Sequence, residues 1–180
     1  MLPPGHLATG FLVGTIIAKY FVPNLDPETI RQFGYWGAFW GFAPDIDEFW
    51  FFYKNKNWLV CPDAKEYHRN YISHAPAFWA ILGLTVIYCS QSGYWWLMGY
   101  IMWFSSWSHF ILDSYEYGIM WLWPFSSKLY AVKSAGVKSF VIEEKRFVPH
   151  SLLVLKAYSK TLVFKLEVVL IIVAFITLIN

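Results

Sequence analysis

The sequence predicts an all-α fold: a polytopic membrane bundle of about five helices, with ionisable side chains gathered at the helix ends on one face. Three observations predict it. Hydrophobic residues make up 57% of the 180 residues and charged residues 14%. A soluble domain carries about a quarter charged residues, so this chain has too little polar material to coat a water-facing surface. Five apolar stretches of near-membrane length recur along the chain, as a bilayer requires. Residues 75–108 hold no Asp, Glu, Lys or Arg and break once, at Gln91-Ser92-Gly93. That is the pattern of two antiparallel helices joined by a tight turn.

The elements follow in order. The first stretch, Leu7 to Val22, is closed by Pro23 and by Asn24-Leu25-Asp26-Pro27. No positively charged segment precedes it, so it is expected to stay as a membrane helix rather than be removed. The second runs from about Ile30 to Ala43 and stops at Pro44, the third is Ala75 to Ser90, the fourth Tyr94 to about Leu112, and the fifth about Thr161 to Ile179. About 20 helical residues span a bilayer; the fourth and fifth meet that length and the others fall slightly short. Lys165 and Glu167 lie near the start of the fifth, and the lysine is long enough to reach the headgroups. Gly10 with Gly14, and Gly37 with Gly41, are spaced i, i+4, which lets helix backbones approach in lipid. Packing between the first two helices is the expected use. One membrane-embedded domain is expected over 1–180, with a polar segment at 126–160 in which Val137 to Val148 has the composition of a short hairpin or loop.

Composition also excludes classes. An aromatic content of 22% is too high for a disordered chain. A net charge of +2 and the lack of any basic–aromatic pattern point away from nucleic acid. Two cysteines, Cys61 and Cys89, cannot build a disulfide scaffold or a four-cysteine zinc site. No G-x-S-x-G elbow or phosphate-cradling glycine loop is present.

Threading the five stretches across a bilayer puts the N-terminus, the Asp45–His74 connection and the 114–160 segment on one face. Eleven of the fourteen basic residues fall there, so the positive-inside rule makes it the cytoplasmic face. Four groups of histidines and aspartates fall on that face too, although they took no part in placing the helices. These are His6 at the start of the first helix, Asp45 and Asp47 after the second, His68 and His74 before the third, and His109 with Asp113 at the end of the fourth.

His109 and Asp113 are spaced i, i+4 and share a helix face. They can chelate one ion or hydrogen-bond to each other, and ionisable groups in an apolar helix are costly enough to favour a functional use. Asp45 and Asp47 can ligate, or Pro44-Asp45 can simply start a helix. Neutral imidazole suits zinc, iron or manganese. Arg69, beside His68, can bind an anionic substrate oxygen, or make a headgroup contact or an ion pair with Asp63 or Glu66. Four histidines and three aspartates exceed one tetrahedral zinc site and suit two or more divalent ions, zinc preferred, with manganese or iron as alternatives. Paired ions are a common means of hydrolysing phosphoesters.

The order His6, Pro44-Asp45-Ile46-Asp47, His68-Arg69 with Ser73-His74, and Ser108-His109-Phe110-Ile111-Leu112-Asp113 resembles the membrane-bound metal-dependent hydrolase family of inner-membrane-associated proteins. The later Gly118 and Trp123-Pro124-Phe125-Ser126 look like its post-helix signature, so the resemblance covers about residues 1–130. The second histidine pair is six apart rather than five, which is closer to a sister group of metal-binding membrane proteins with His-Arg-x4-His-x-Pro. Through the wider zinc-dependent phospholipase C superfamily, the resemblance implies an α-helical fold with a multi-metal phosphoesterase site.

The expectation is therefore an integral inner-membrane protein with its N-terminus and metal site on the cytoplasmic side, hydrolysing a phosphoester, lipidic because the site lies at headgroup depth, with membrane lipid as its partner. The alternative is a non-catalytic metal-binding membrane protein: a sensor, carrier or scaffold.

Overall fold

Prolines decide where several helices begin. The computed structural model describes residues 2–55, 68–115, 118–132, 152, 155, 156 and 158–179. Helix α1 is Pro3–Phe21 and α2 is Pro27–Phe42. Both start earlier than the apolar stretches predicted, because proline has no N–H to lose and its fixed φ suits a first helical turn. Asp26 caps α2, its carboxylate accepting from the Thr29 N–H at 3.0 Å and from the Thr29 hydroxyl at 2.6 Å. The Asn24-Leu25-Asp26-Pro27 stretch thus opens α2 as well as closing α1.

A 3₁₀ turn, Ala43–Asp45, leads directly into α3, Ile46–Asn55. The loop expected from Asp45 to His74 therefore begins as a helix. Asp47 and Glu48 occupy its first turn, where carboxylates complement the N-terminal end of the helix dipole. Two further 3₁₀ turns, His68–Asn70 and Ile72–His74, precede α4, Pro76–Cys89. Helix α5 is Gly93–Asp113, capped by Ser92, and α6 is Leu162–Ile179. The expected helical hairpin is thus formed by α4 and α5. Among the described residues there are five long helices, the ten-residue α3 and no strand; Ile119 and Tyr130 make an isolated antiparallel bridge. The Val137–Val148 segment lies outside the described residues.

Helices α1 and α2 pack backbone to backbone. A Cβ added at Gly10 would collide with the Gly37 carbonyl, and one at Gly37 with the Gly10 carbonyl. Helix α5 lies against both, burying Leu97, Met98 and Ile101 against Ile17, Ala18 and Phe33. Helix α6 packs on α1, where Ala174 meets Ala8 and Phe11, and turns Leu166, Val169, Ile172, Phe175 and Ile176 outward. An apolar face of that size marks a contact with a membrane or with another protein. Of the described helices α6 is the one long and apolar enough to cross a membrane. Helix α5 is longer, with 21 residues, but its serines, His109 and Asp113 dilute its apolar character.

Candidate metal centre

The ends of α1, α2 and α5 and the turn before α4 converge on one buried cluster. His6 sits on the first turn of α1, Asp45 closes the turn after α2, His74 ends the turn before α4, and His109 and Asp113 lie on one face of the last turn of α5. All five are buried, His74, His109 and Asp113 completely. Two indoles fix the approach to α4. Trp79 Nε1 donates to the Ser73 carbonyl at 2.7 Å and Trp107 Nε1 to the Pro76 carbonyl at 3.0 Å.

Asp45, His74, His109 and Asp113 each offer a ligand atom, and these four atoms lie within 4.8 Å of one another. His74 Nε2 is 3.3 Å from Asp45 Oδ1; His109 Nε2 is 3.5 Å from the same oxygen and 3.6 Å from Asp113 Oδ2. His6 borders the group, its Nε2 lying 3.3 Å from Asp113 Oδ1 and 3.9 Å from Asp45 Oδ2, and its ring stacks on that of His109 with centroids 3.7 Å apart.

Each orienting contact turns a donor toward this cluster. His109 Nδ1 donates to the Gly41 carbonyl at 3.0 Å. A carbonyl only accepts, so the proton of the neutral ring sits on Nδ1 and its Nε2 lone pair faces two carboxylates. Neither His109 Nε2 nor His6 Nε2 makes a hydrogen bond among the described residues. Two fully buried nitrogens without such bonds, beside carboxylate oxygens, are costly alone and suited to a shared cation. The donor set, imidazole nitrogen with carboxylate oxygen, fits a divalent metal ion.

Behind His74, its Nδ1 contacts Asp47 Oδ2 at 2.8 Å, and the Ser73 hydroxyl donates to the same oxygen. A carboxylate behind an imidazole is a common means of fixing the ring's orientation. Burial pushes the His74 ring toward its neutral form, but Asp45 and Asp47 prevail and lift it above the usual imidazole range. Burial alone would raise the Asp45 carboxyl; the imidazoles of His109, His74 and His6 outweigh it and hold Asp45 well below the usual carboxylate range.

The candidate residues separate as follows. His6, Asp45, His74, His109 and Asp113 come together, and Asp47 stands behind His74. The His68 side chain lies outside the described residues, although its backbone opens the 3₁₀ turn that carries Arg69. Arg69 is buried and pairs with Asp113; Asp63 and Glu66, its other candidate partners, also lie outside the described residues.

Three contributors were not foreseen. Glu48 is pushed up to about 7, first by burial and then by the charge of Asp45. Its i+3 spacing from Asp45 in a helical turn was a readable signal. The Gly41 carbonyl, which orients His109, left no mark beyond the glycine spacing. Glu167 left a signal, a lone carboxyl in an apolar stretch, but not its partner: it is buried on α6 and accepts hydrogen bonds at the start of α1, next to His6.

The bundle thus joins a helix long and apolar enough to cross a membrane to a buried cluster of candidate ligands. No curated protein and no solved structure matches the chain. The family model described as YdjM inner membrane protein matches residues 1–180, and the chain belongs to that inner membrane protein family.

Proposed function

We propose that the chain is a metal-dependent hydrolase of the inner membrane, acting on a phosphoester with a lipidic substrate preferred. The observation that carries the reading is the buried donor set. Tetrahedral bonds of about 2.0–2.2 Å space neighbouring ligands about 3.3–3.6 Å apart; three of the six pairs among the His74, His109, Asp45 and Asp113 donors stand 3.3, 3.5 and 3.6 Å apart, and all four lie within 4.8 Å of one another. Imidazole nitrogen with carboxylate oxygen suits zinc, with manganese or iron as alternatives. His6, bordering both Asp45 and Asp113, supports a second ion sharing those carboxylates, with His68 and Asp47 as further donors.

Bound there, such ions supply Lewis-acid polarisation of a phosphoryl oxygen and acidify water at neutral pH. The chain's own part is orientation. Gly41 and Asp47 fix the two imidazoles, and Arg69 is the cation we assign to a phosphate oxygen once it exchanges from Asp113. The excess of basic residues on the same face supports a cytoplasmic site. The alternative is a non-catalytic metal-binding membrane protein, a sensor, carrier or scaffold. The near-complete burial of the cluster favours it, because a catalytic ion needs an open position.

Two measurements on detergent-purified protein decide. Zinc per chain is expected to reach at least one equivalent in the parent and to be lost in the His109→Ala, Asp113→Asn double variant. A parent that holds neither zinc nor manganese after reconstitution ends the metal reading. Zinc-loaded parent is expected to hydrolyse bis(p-nitrophenyl) phosphate, with the double variant inactive; full zinc with no hydrolysis of this ester or of phospholipid vesicles selects the non-catalytic alternative.

A further inference from the structure

The first turn of α1 has an unusual accounting of donors. A helix start normally leaves several backbone N–H groups without an intrahelical partner. Here Pro3 and Pro4 have none to leave. Before His6 this leaves the N–H groups of Leu2 and Gly5: Leu2 donates to Glu167 Oε2 at 3.4 Å, and Gly5 shares its hydrogen between the Leu2 carbonyl at 3.0 Å and Glu167 Oε1 at 3.2 Å. The Leu2 side chain provides no cap of its own. Glu167 comes from α6, more than 160 residues away in sequence. Its Oε2 also accepts from the Tyr158 hydroxyl at 2.6 Å, and the carboxyl is almost fully buried. Carboxyl groups are rare and expensive in apolar membrane helices, and this one is the sole acidic residue of α6.

We infer that Glu167 is a positioning residue of the metal centre: by holding the Leu2 and Gly5 amides it fixes the turn that presents His6 to Asp45 and Asp113. The inference rests on the proposed metal centre. It adds that α6, which contributes no ligand, sets the geometry of the site. Tyr158 serves as the strut that keeps the carboxyl aimed at α1.

A double-mutant cycle tests this. Zinc affinity is measured by chelator competition for the parent, Glu167→Ala, His6→Ala and the double variant, with amide exchange of the 2–12 peptide followed by mass spectrometry. Glu167→Ala is expected to speed exchange of that peptide and to weaken zinc about tenfold, the scale of lost outer-sphere support. Glu167→Gln, which keeps an acceptor oxygen, restores most of it. In the His6→Ala background Glu167→Ala should add less than twofold, because sites acting through one residue are not additive.

An equal loss in both backgrounds marks a general structural weakening and overturns the inference, as does unchanged exchange in the 2–12 peptide. If Glu167→Ala does not fold, Glu167→Gln and Tyr158→Phe carry the same cycle. A parent that holds no zinc overturns the metal reading together with this one; a zinc-binding parent with an additive cycle overturns this one alone.

Discussion

Helix α1 is held from two sides by unlike means. Toward α2 the contact is backbone on backbone, at Gly10 and Gly37, where no side chain fits. Toward α6 it is looser, made of small and branched side chains around Ala174 and one carboxyl at the helix start. The first contact sets the distance between helices; the second sets how one turn of α1 is presented. Packing of small residues is the main force between membrane helices, so the glycine contact should dominate stability. A single polar contact at a helix end affects local order more than global stability.

The largest expected effect breaks the glycine contact. Gly10→Leu should destabilise the bundle by about 3 kcal/mol through overpacking against rigid backbone, read as thermal unfolding in detergent, with loss of bound zinc. The same leucine at Ala174 meets side chains that can give way, and should cost about 1 kcal/mol. Equal costs at the two positions would erase the distinction drawn here.

A smaller effect should come from Gly41→Ala, where the glycine interface reaches the ligand cluster. The added Cβ would lie 2.8 Å from the His6 carbonyl, and the Gly41 carbonyl is the partner of His109 Nδ1. Helix content should persist while zinc affinity falls about tenfold. Zinc affinity equal to that of the parent would separate the glycine contact from the site.

The smallest expected effect lies at the opposite end of α1 and α2. Hydrogen bonds from the Thr29 hydroxyl and amide lower the pKa of Asp26. A carboxyl lowered on folding contributes stability that is present above its unfolded pKa and is lost as pH falls through its folded one. Asp26→Ala should therefore speed amide exchange in the first turn of α2 at neutral pH and should differ little from the parent in strong acid. Zinc affinity should not change, since no ligand sits at that end; a change would show the two ends of the bundle to be coupled.

The sequence showed the long helices and the meeting of four helix ends because both depend on local pattern. Apolar stretches mark helices, and alternating crossings return His6, Asp45, His74 and Asp113 to one level. Helix starts were set too late, at Leu7 instead of Pro3 and at Ile30 instead of Pro27; Pro27 was read as closing the first stretch, although proline's missing N–H suits a first turn. Helix α3 was hidden because Asp45-Ile46-Asp47-Glu48 reads equally as a ligand loop and as an acidic first turn. The partners of Gly41 and Glu167 were illegible for a different reason. Each acts through a backbone group of a distant helix, and backbone donors and acceptors are the same at every residue, so no residue type announces the partner.

The contact between Glu167 and Gly5 also fixes an order of events in synthesis. The residues that gather at the cluster, from His6 to Asp113, have all left the ribosome well before the final helix emerges. Until then the amides of Leu2 and Gly5 lack the Glu167 carboxylate, and the nascent bundle holds its candidate ligands on an unlatched turn. A chain interrupted after α5 would carry every side chain of the candidate cluster described here and still lack the latch.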